Sequence, residues 1–412
     1  MSTAWFDLDA VRAYEDRVGT LGTAEARRGF GQELRLSRWI PVWWHHQAAL
    51  LAPSTQRGYA RQVRDRLLPY LGDALVVQLD VAALSLWVDL MRSDGHPAIQ
   101  IHRARTVLSR CLHHAAQRGL LPQGNFIRLL DPLPRTPVRR PRPLSPEQTE
   151  HLRAALLADD GLRGHPRRGL RSATLVSVMA YGGLRPSEAM GAKRHHVDHA
   201  AGGIWVTDVM STEHRIDQTK TGERRFARLP RHAMRDLELW ISTGLVQPLG
   251  WLFPNRFGEV TPNSYSNWVR SLGPLRAAML AAHPDWRPEF ERFSPGALRH
   301  TCASVRLRSG DPIAEVAVDL GHSAETLIRW YAHEVRASRG APVEPLDQQI
   351  GRAREQIGTD FLARRLFHLL DPNSRRRQKR TTPSAGAQLR LVGNRFVWSR
   401  QNSGEVQQGD VI

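Results

Sequence analysis

Acidic side chains are scarce in this 412-residue chain: 40 Asp and Glu stand against 58 Lys and Arg, a formal net charge of +18. The resulting pI near 11.1 predicts attraction to a polyanion, either nucleic acid or an acidic membrane surface. Cysteine is rarer still. Cys111 and Cys302 are the whole complement, too few for a disulfide framework or a cysteine-rich zinc site, so a reducing compartment is expected. Long apolar runs are missing too. No stretch reaches the roughly 18 residues of a membrane span, and the N-terminal MSTAWFDLDAVRAYEDR has no apolar core behind basic residues. The chain reads as soluble and cytoplasmic, with no membrane partner.

Its length suffices for two or three domains, each with its own core. The clearest boundary is Asp131 to Pro146, where six prolines and four arginines read as an extended basic linker. Ser145, Pro146 and Gln148 then spell a helix start, with serine as cap and proline at the first helical position. The expected organisation is an N-terminal extension over 1–34, an all-helical domain over 35–130, the linker over 131–145, a second domain over 146–345, and a C-terminal helix with a basic tail over 346–412.

In the first domain, a Trp-rich stretch over Trp39–Leu51 is followed by a helix from Ser54 to Leu68 that ends before Pro69. The segment SLWVDLMRS places Leu86, Leu90 and Met91 on one face. Ile99 to Gln117 sets Ile101, Ala104, Val107, Leu108, Leu112 and Ala115 at helical spacing. Arg57, Arg61 and Arg64 fall at i, i+4 and i+7, a basic stripe able to follow a phosphate backbone, with a solvated face as the competing reading. Arg103 and Arg224 are further candidate DNA contacts. The second domain opens with helices such as Leu170–Tyr181, passes through a β-rich patch over Ile204–Leu229 with a turn at Thr221-Gly222, and returns to helices until about Val335. The expected fold is mainly α with a small antiparallel β-sheet, an α+β domain behind an all-α one. Arg352 to Leu370 reads as one more amphipathic helix, carrying Phe361, Leu362, Leu366 and Leu369, and the polar tail after Ser374 as loosely ordered.

Three separated stretches hold groups suited to phosphate. In Tyr181-Gly-Gly-Leu-Arg-Pro-Ser-Glu188, a helix ends at the glycine pair and another starts near Pro186, holding Arg185 at a fixed turn with Glu188 one helical turn on to orient it. Gln218-Thr-Lys-Thr-Gly-Glu-Arg-Arg225 reads as a β-turn with Lys220 on a hairpin tip. Leu298-Arg-His-Thr-Cys302, Leu320-Gly-His322 and Arg329-Trp-Tyr-Ala-His333 place Arg299, His322 and Tyr331 on separate helices that can converge. The paired histidines His45-His46, His113-His114 and His195-His196 lack a partner set of ligands, and no metal is assigned.

Taken in this order, the motifs resemble the tyrosine recombinase (phage integrase) family, and Thr55 to Pro122, with Leu-Pro-Tyr-Leu-Gly-Asp73, resembles its helical core-binding domain. The likeness covers residues 35 to about 340. It implies a site-specific DNA recombinase that needs no cofactor. Tyr331 would attack the scissile phosphate to form a 3′-phosphotyrosyl bond and release a 5′-hydroxyl. Arg185, Arg299 and His322 would hold the phosphate oxygens, and Lys220 would protonate the leaving oxygen. The implied partners are double-stranded DNA, a homotetramer on paired DNA sites that swaps a C-terminal segment, with Arg352–Leu370 as candidate, and an accessory directionality protein. The implied use is integration or excision of a mobile element.

One position departs from the pattern. The family usually carries histidine or lysine three residues before the second arginine, where this chain has Gly296. Of its neighbours, His300 is common in the family and reads as no special substitute. Gly296 motivates the rival reading, a weakened recombinase-like protein that binds a DNA sequence without cutting. A type IB topoisomerase shares the chemistry, but the integrase-like helical domain favours recombination. A generic RNA-binding protein explains the charge and not the ordered site.

Overall fold

A computed structural model describes residues 8–20, 33–121, 124–134, 142–159, 166–210, 216–218, 224–255, 258–291, 293–337, 340, 342–359, 387–392 and 395–400. The chain divides into two compact units, Met1–Arg139 and Arg140–Ile412. Among the described residues, no helix is long and apolar enough to cross a membrane.

The first unit is helical: α1 (Leu8–Thr20), α2 (Leu36–Ala48), α3 (Pro53–Gln62), α4 (Leu68–Leu71), α5 (Val81–Ser93) and α6 (Ala98–Gln117). Its core is built on tryptophan. Trp39, Trp43 and Trp87 are fully buried; Trp39 Nε1 donates to the Cys111 carbonyl of α6 at 3.1 Å and Trp87 Nε1 to the Arg66 carbonyl at 3.2 Å, so these two indole N–H groups are paired. Val11 and Tyr14 of α1 belong to the same core, with the Tyr14 ring 5.4 Å from that of Trp39.

Two expectations for this unit are corrected. The helix expected over Ser54–Leu68 starts at Pro53 and does not end before Pro69: a π-helical turn over Val63–Leu67 carries it into α4, with Pro69 in that helix's first turn. Arg64, the second residue of that turn, is exposed and pairs with its neighbour Asp65 at 2.6 Å. In α5 the apolar face is Leu84, Trp87, Val88 and Met91, whereas Leu86 and Leu90 are exposed. The i, i+3, i+4, i+7 series runs from Leu84.

The second unit contains α7 (Pro146–Asp159), α8 (Pro166–Ala180), α9 (Pro186–Gly191), α10 (Arg231–Ser242), α11 (Pro262–Ala282), α12 (Arg287–Phe290), α13 (Gly296–Arg308), α14 (Ile313–Leu320), α15 (Ala324–Ala337) and α16 (Leu346–Ile357). The start of α7 is the expected capping box: Ser145 N donates to Gln148 Oε1 at 2.9 Å, and Gln148 N to Ser145 Oγ at 3.0 Å. Between α9 and α10, β1 (Val197–Asp198), β2 (Gly203–Val206) and β5 (Arg225–Arg228) form an antiparallel sheet in the order β1-β2-β5. A separate pair joins β3 (Asp208–Met210) to β4 (Ile216–Gln218). Among the described residues β4 pairs with β3 and β5 with β2, and the turn expected at Thr221-Gly222 lies outside them. Residues 219–223, Lys220 included, lie outside the described residues.

At the C-terminal end, the described part of the helix expected over Arg352–Leu370 belongs to α16, which starts six residues earlier and is capped by Gly358, left-handed at φ +74°. Phe361, Leu362, Leu366 and Leu369 lie outside the described residues. The tail expected to be loosely ordered contains an antiparallel pair, β6 (Ala387–Val392) with β7 (Arg395–Arg400), in register from Ala387↔Arg400 to Val392↔Arg395.

Arg354 fastens α16 to its own unit. Its guanidinium reaches Asp236 Oδ2 at 2.6 Å and Glu150 Oε2 at 3.3 Å, while Arg153 bonds to Glu150 and meets Asp236 at 2.7 Å. Tyr181 Oη donates to Glu150 at 2.8 Å and Ser177 Oγ to Asp236 at 2.6 Å. Burial works against the Asp236 charge, yet Arg153 and Arg354 hold its carboxyl below the ordinary value. Through these contacts residues 352–357 of the expected C-terminal segment pack on α7 and α10. Replacing Arg354 with alanine leaves two buried carboxylates facing one guanidinium and is expected to destabilise this unit by about 3–5 kcal/mol; denaturant unfolding of full-length wild type and variant measures it.

Candidate active site

The site begins as local sequence. α8 runs out at Ala180, and Gly183 adopts φ +68°, where an added Cβ would lie 2.1 Å from Leu320 Cδ2 and 3.1 Å from Cys302 Sγ. Glycine lets this loop close against α13 and α14. Pro186 then opens α9 with Arg185 as its cap, and Glu188 in the first turn reaches back to accept from Arg185 N at 2.7 Å and from Arg185 Nη1 at 2.6 Å. The predicted orienting contact is present, on a carboxylate only 2% exposed.

Two more guanidiniums close on that carboxylate. Arg225, the first residue of β5, donates to Glu188 Oε2 and to the Asp319 carbonyl. Arg299, on the first turn of α13, has Nη1 3.7 Å from Glu188 Oε2 and donates it to the Gly183 carbonyl at 2.7 Å, while its Nη2 donates to the Leu320 carbonyl. Asp319 and Leu320 are the last residues of α14, so the two arginines satisfy carbonyls that a helix end leaves open, at the negative end of its dipole. Burial would raise the Glu188 carboxyl, but Arg225, the Arg185 N–H and Arg299 hold it below the ordinary range. Burial, then Arg185 and Arg225, pull Arg299 down to about 9. Three guanidiniums share one carboxylate, and the Arg185 side chain remains 40% exposed.

α14 ends in a left-handed Gly321 at φ +59°, with His322 N bonded to the Ala317 carbonyl at 2.9 Å, which sets His322 just past the helix end. An added Cβ on Gly321 would lie 2.9 Å from Arg225 Cδ. Burial first, then Arg299, Arg185 and His300, lower His322 to about 4, and its Nδ1 is buried without a hydrogen-bond partner among the described residues. Tyr331 lies in the second turn of α15, 6% exposed, with burial raising its phenol above the ordinary value. Its Oη is bonded to His300 Nδ1.

The family model described as the phage integrase family matches residues 144–337. The tyrosine recombinase XerD of Pseudomonas aeruginosa is 30% identical over 245 residues, 59% of this chain and 74% of that protein. The chain belongs to the phage integrase family of tyrosine recombinases. XerC of Mycobacterium tuberculosis is 25% identical over 292 residues, covering 68% and 87% of the two chains. Among solved structures, the Tn1549 transposon integrase in complex with a circular intermediate DNA superposes with a TM-score of 0.58 at 19% identity, covering 72% of this chain and 97% of that one. A lambda integrase dimer bound to a COC′ core site gives 0.55 at 15% identity over 82% and 88%. At those identities the structures show a shared fold. Members of the family are DNA strand-exchange enzymes, and the recombinase is one of them, acting in site-specific recombination.

In this recombinase the structure brings Arg185, Glu188, Arg299 and His322 around one cluster, with Tyr331 joined to it through His300. Arg225 joins them unannounced by the sequence, whereas its neighbour Arg224, the expected DNA contact, is exposed. Adjacent strand residues face opposite sides, and the turn sequence does not tell which of the two arginines faces inward. His300 was passed over as well, because the proximity of α13 to α15 cannot be read locally. In the other unit Arg61 and Arg103 are exposed, Arg57 is partly covered, and Arg64 is paired as described.

Two outcomes follow. The fold keeps His322 neutral, so below the ordinary imidazole pKa of about 6.5 the unfolded chain takes up the proton first, and stability falls as pH drops toward about 4. NMR titration should place the His322 transition near that lower value, and His322→Asn should reduce the acid-side loss seen in thermal melts. Arg225→Lys is expected to destabilise the recombinase despite keeping the charge, because one ammonium lacks the fork that spans Glu188 and the Asp319 carbonyl; a melting temperature equal to wild type would contradict this.

Proposed function

We propose that this recombinase cuts and rejoins duplex DNA through a 3′-phosphotyrosyl bond to Tyr331, as four copies on paired sites, to integrate or excise a mobile element. The observation that carries the reading is the charge imbalance beside Tyr331: three guanidiniums converge on a single buried carboxylate. A phosphodiester supplies the missing negative charge. Its developing charge in the transition state would meet donors already in place, with no reorganisation needed at the moment of reaction. Arg185 has the exposed donors to touch it, and His322 Nδ1 is an unused polar atom beside the same cluster.

Lys220 completes the proposal as proton donor to the leaving 5′-oxygen. Lysine is rare in this chain, limited to Lys193, Lys220 and Lys379. Lys193 is occupied by Asp208 at 3.8 Å and by the face of Trp251 at 5.8 Å. Duplex DNA as substrate is supported by the DNA-bound transposon and lambda integrases that share the fold, and by the +18 charge.

Expressed beside its native flanking DNA and then denatured, the recombinase should yield covalent protein–DNA adducts at one repeated sequence, absent from Tyr331→Phe. Salt-sensitive duplex binding without any adduct, even on nicked substrates that trap the intermediate, would leave the binding-only reading that Gly296 motivated. Arg61→Ala and Arg103→Ala should each weaken binding uniformly across sequences and lower the salt slope by about 1 if they lie on phosphates.

A further inference from the structure

The geometry points to His300 as a catalytic residue of this site, the group that takes the proton from the Tyr331 phenol. This rests on the phosphotyrosyl reading and adds to it the acceptor that the sequence left without a name.

The phenol needs one. Buried at 6% exposure, it is harder to ionise than tyrosine in water, and a neutral phenol is a poor nucleophile toward phosphorus. The residue one turn before His300 on α13, where a side chain would face the same way, is Gly296, which offers no polar atom; an added Cβ there would meet only Ser294 Oγ, at 3.8 Å. His300 itself is placed for the task. Its Nδ1 is bonded to Tyr331 Oη, with ring centroids 5.9 Å apart and planes at 39°.

The protonation state fits the role. Burial, then Arg299, lowers the His300 imidazole below its ordinary value, so it is neutral at physiological pH and Nδ1 can accept while Nε2 carries the proton. The groups that bear electrostatically on the pair are Arg299 on the same helix, His322 after α14, Cys302 on α13 and Glu334 on α15. Without an anion, burial and the Arg299 guanidinium make a charge on His300 unfavourable. A bound phosphate reverses that field, so proton uptake by His300 becomes favourable only with substrate in place.

In the step, the Tyr331 O–H bond breaks and its proton passes to His300 Nδ1. The phenolic oxygen forms a bond to phosphorus, and the bond from phosphorus to the 5′-oxygen breaks. The leaving oxygen keeps that electron pair and takes a proton from Lys220. Religation runs the same transfers in reverse, with the His300 imidazolium returning the proton to the phenolic oxygen as the 5′-hydroxyl attacks.

The test follows adduct formation by full-length protein on its native flanking DNA, comparing wild type, Tyr331→Phe, His300→Gln and His300→Ala. His300→Ala should form adduct slower by about 10²- to 10⁴-fold, and free imidazole should restore part of the rate in that variant alone. His300→Gln, which can hold the phenol but not accept a proton, should be as slow as alanine. A wild-type rate in His300→Ala, or a slow rate that imidazole leaves unchanged, overturns the proposal. Absence of adduct from wild type is a failure of the phosphotyrosyl reading instead, and a second measurement then decides the contact. With the six tyrosines carbon-13 labelled at Cζ, and Tyr331 assigned through Tyr331→Phe, its resonance should shift in His300→Ala, which leaves the phenol without its partner. A resonance indifferent to that change removes the hydrogen bond and the proposal with it.

Discussion

The Glu188 carboxylate is the point on which the site depends. Alone, a carboxylate only 2% exposed would be too costly to keep charged. It stays charged because Arg185, Arg225 and Arg299 approach it from three different parts of the chain. The same arginines in turn hold backbone that no regular element holds: Arg299 ties the Gly183 loop to the end of α14, and Arg225 ties β5 to the preceding carbonyl of that end. One acidic side chain therefore fixes the relative positions of a loop, a strand and two helix termini. Gly183 and Gly321 are the places where the chain itself gives way to allow such approach, both with positive φ.

This construction leaves the site electrostatically incomplete. Burial first, and then the neighbouring guanidiniums, pull Arg299 down to about 9 and His322 to about 4. A site in that condition stabilises whatever anion enters it, and more so as negative charge builds on the entering group. His322 is the sensitive member, since a phosphate beside it would raise its pKa and convert an acceptor-donor pair into two donors. The folded state thus carries a surplus of donors at this cluster with no ligand in place.

Much of this was legible in the sequence, and the failures have physical causes. Ser145-Pro146-Gln148 and Arg185-Pro186-Ser187-Glu188 are local motifs in which a side chain bonds to backbone three residues away, and both appear in the structure as written. The 98–117 helix was legible because its buried stripe, Ile101 to Ala115, never changes phase. In α5 the apolar residues outnumber the buried face, so spacing alone admitted the wrong set. Pro69 was read as a stop because the rule assumes an α-helical register, and a π-turn just before it alters which carbonyls need partners. The choice between Arg224 and Arg225, and the nearness of His300 to Tyr331, depend on tertiary contacts separated by tens of residues. No local pattern encodes those.

The second unit contains two buried arginine–carboxylate clusters, and comparing them separates scaffold from site. Around Arg354, two guanidiniums meet two carboxylates, and Tyr181 and Ser177 fill remaining acceptor positions. That cluster is closed and neutral; it locks α16 onto α7 and α10 and presents nothing to a ligand. Around Glu188 the same residue types stand at three to one, the spare donors fall on helix-end carbonyls, and the outermost guanidinium keeps 40% of its side chain in solvent. The first arrangement would gain nothing from an added anion, whereas the second lacks one. Sequence spacing does not distinguish the two clusters, and buried arginines occur in both. The count of charges does: it leaves Arg185 and its neighbours one anion short, and Arg153 and Arg354 balanced.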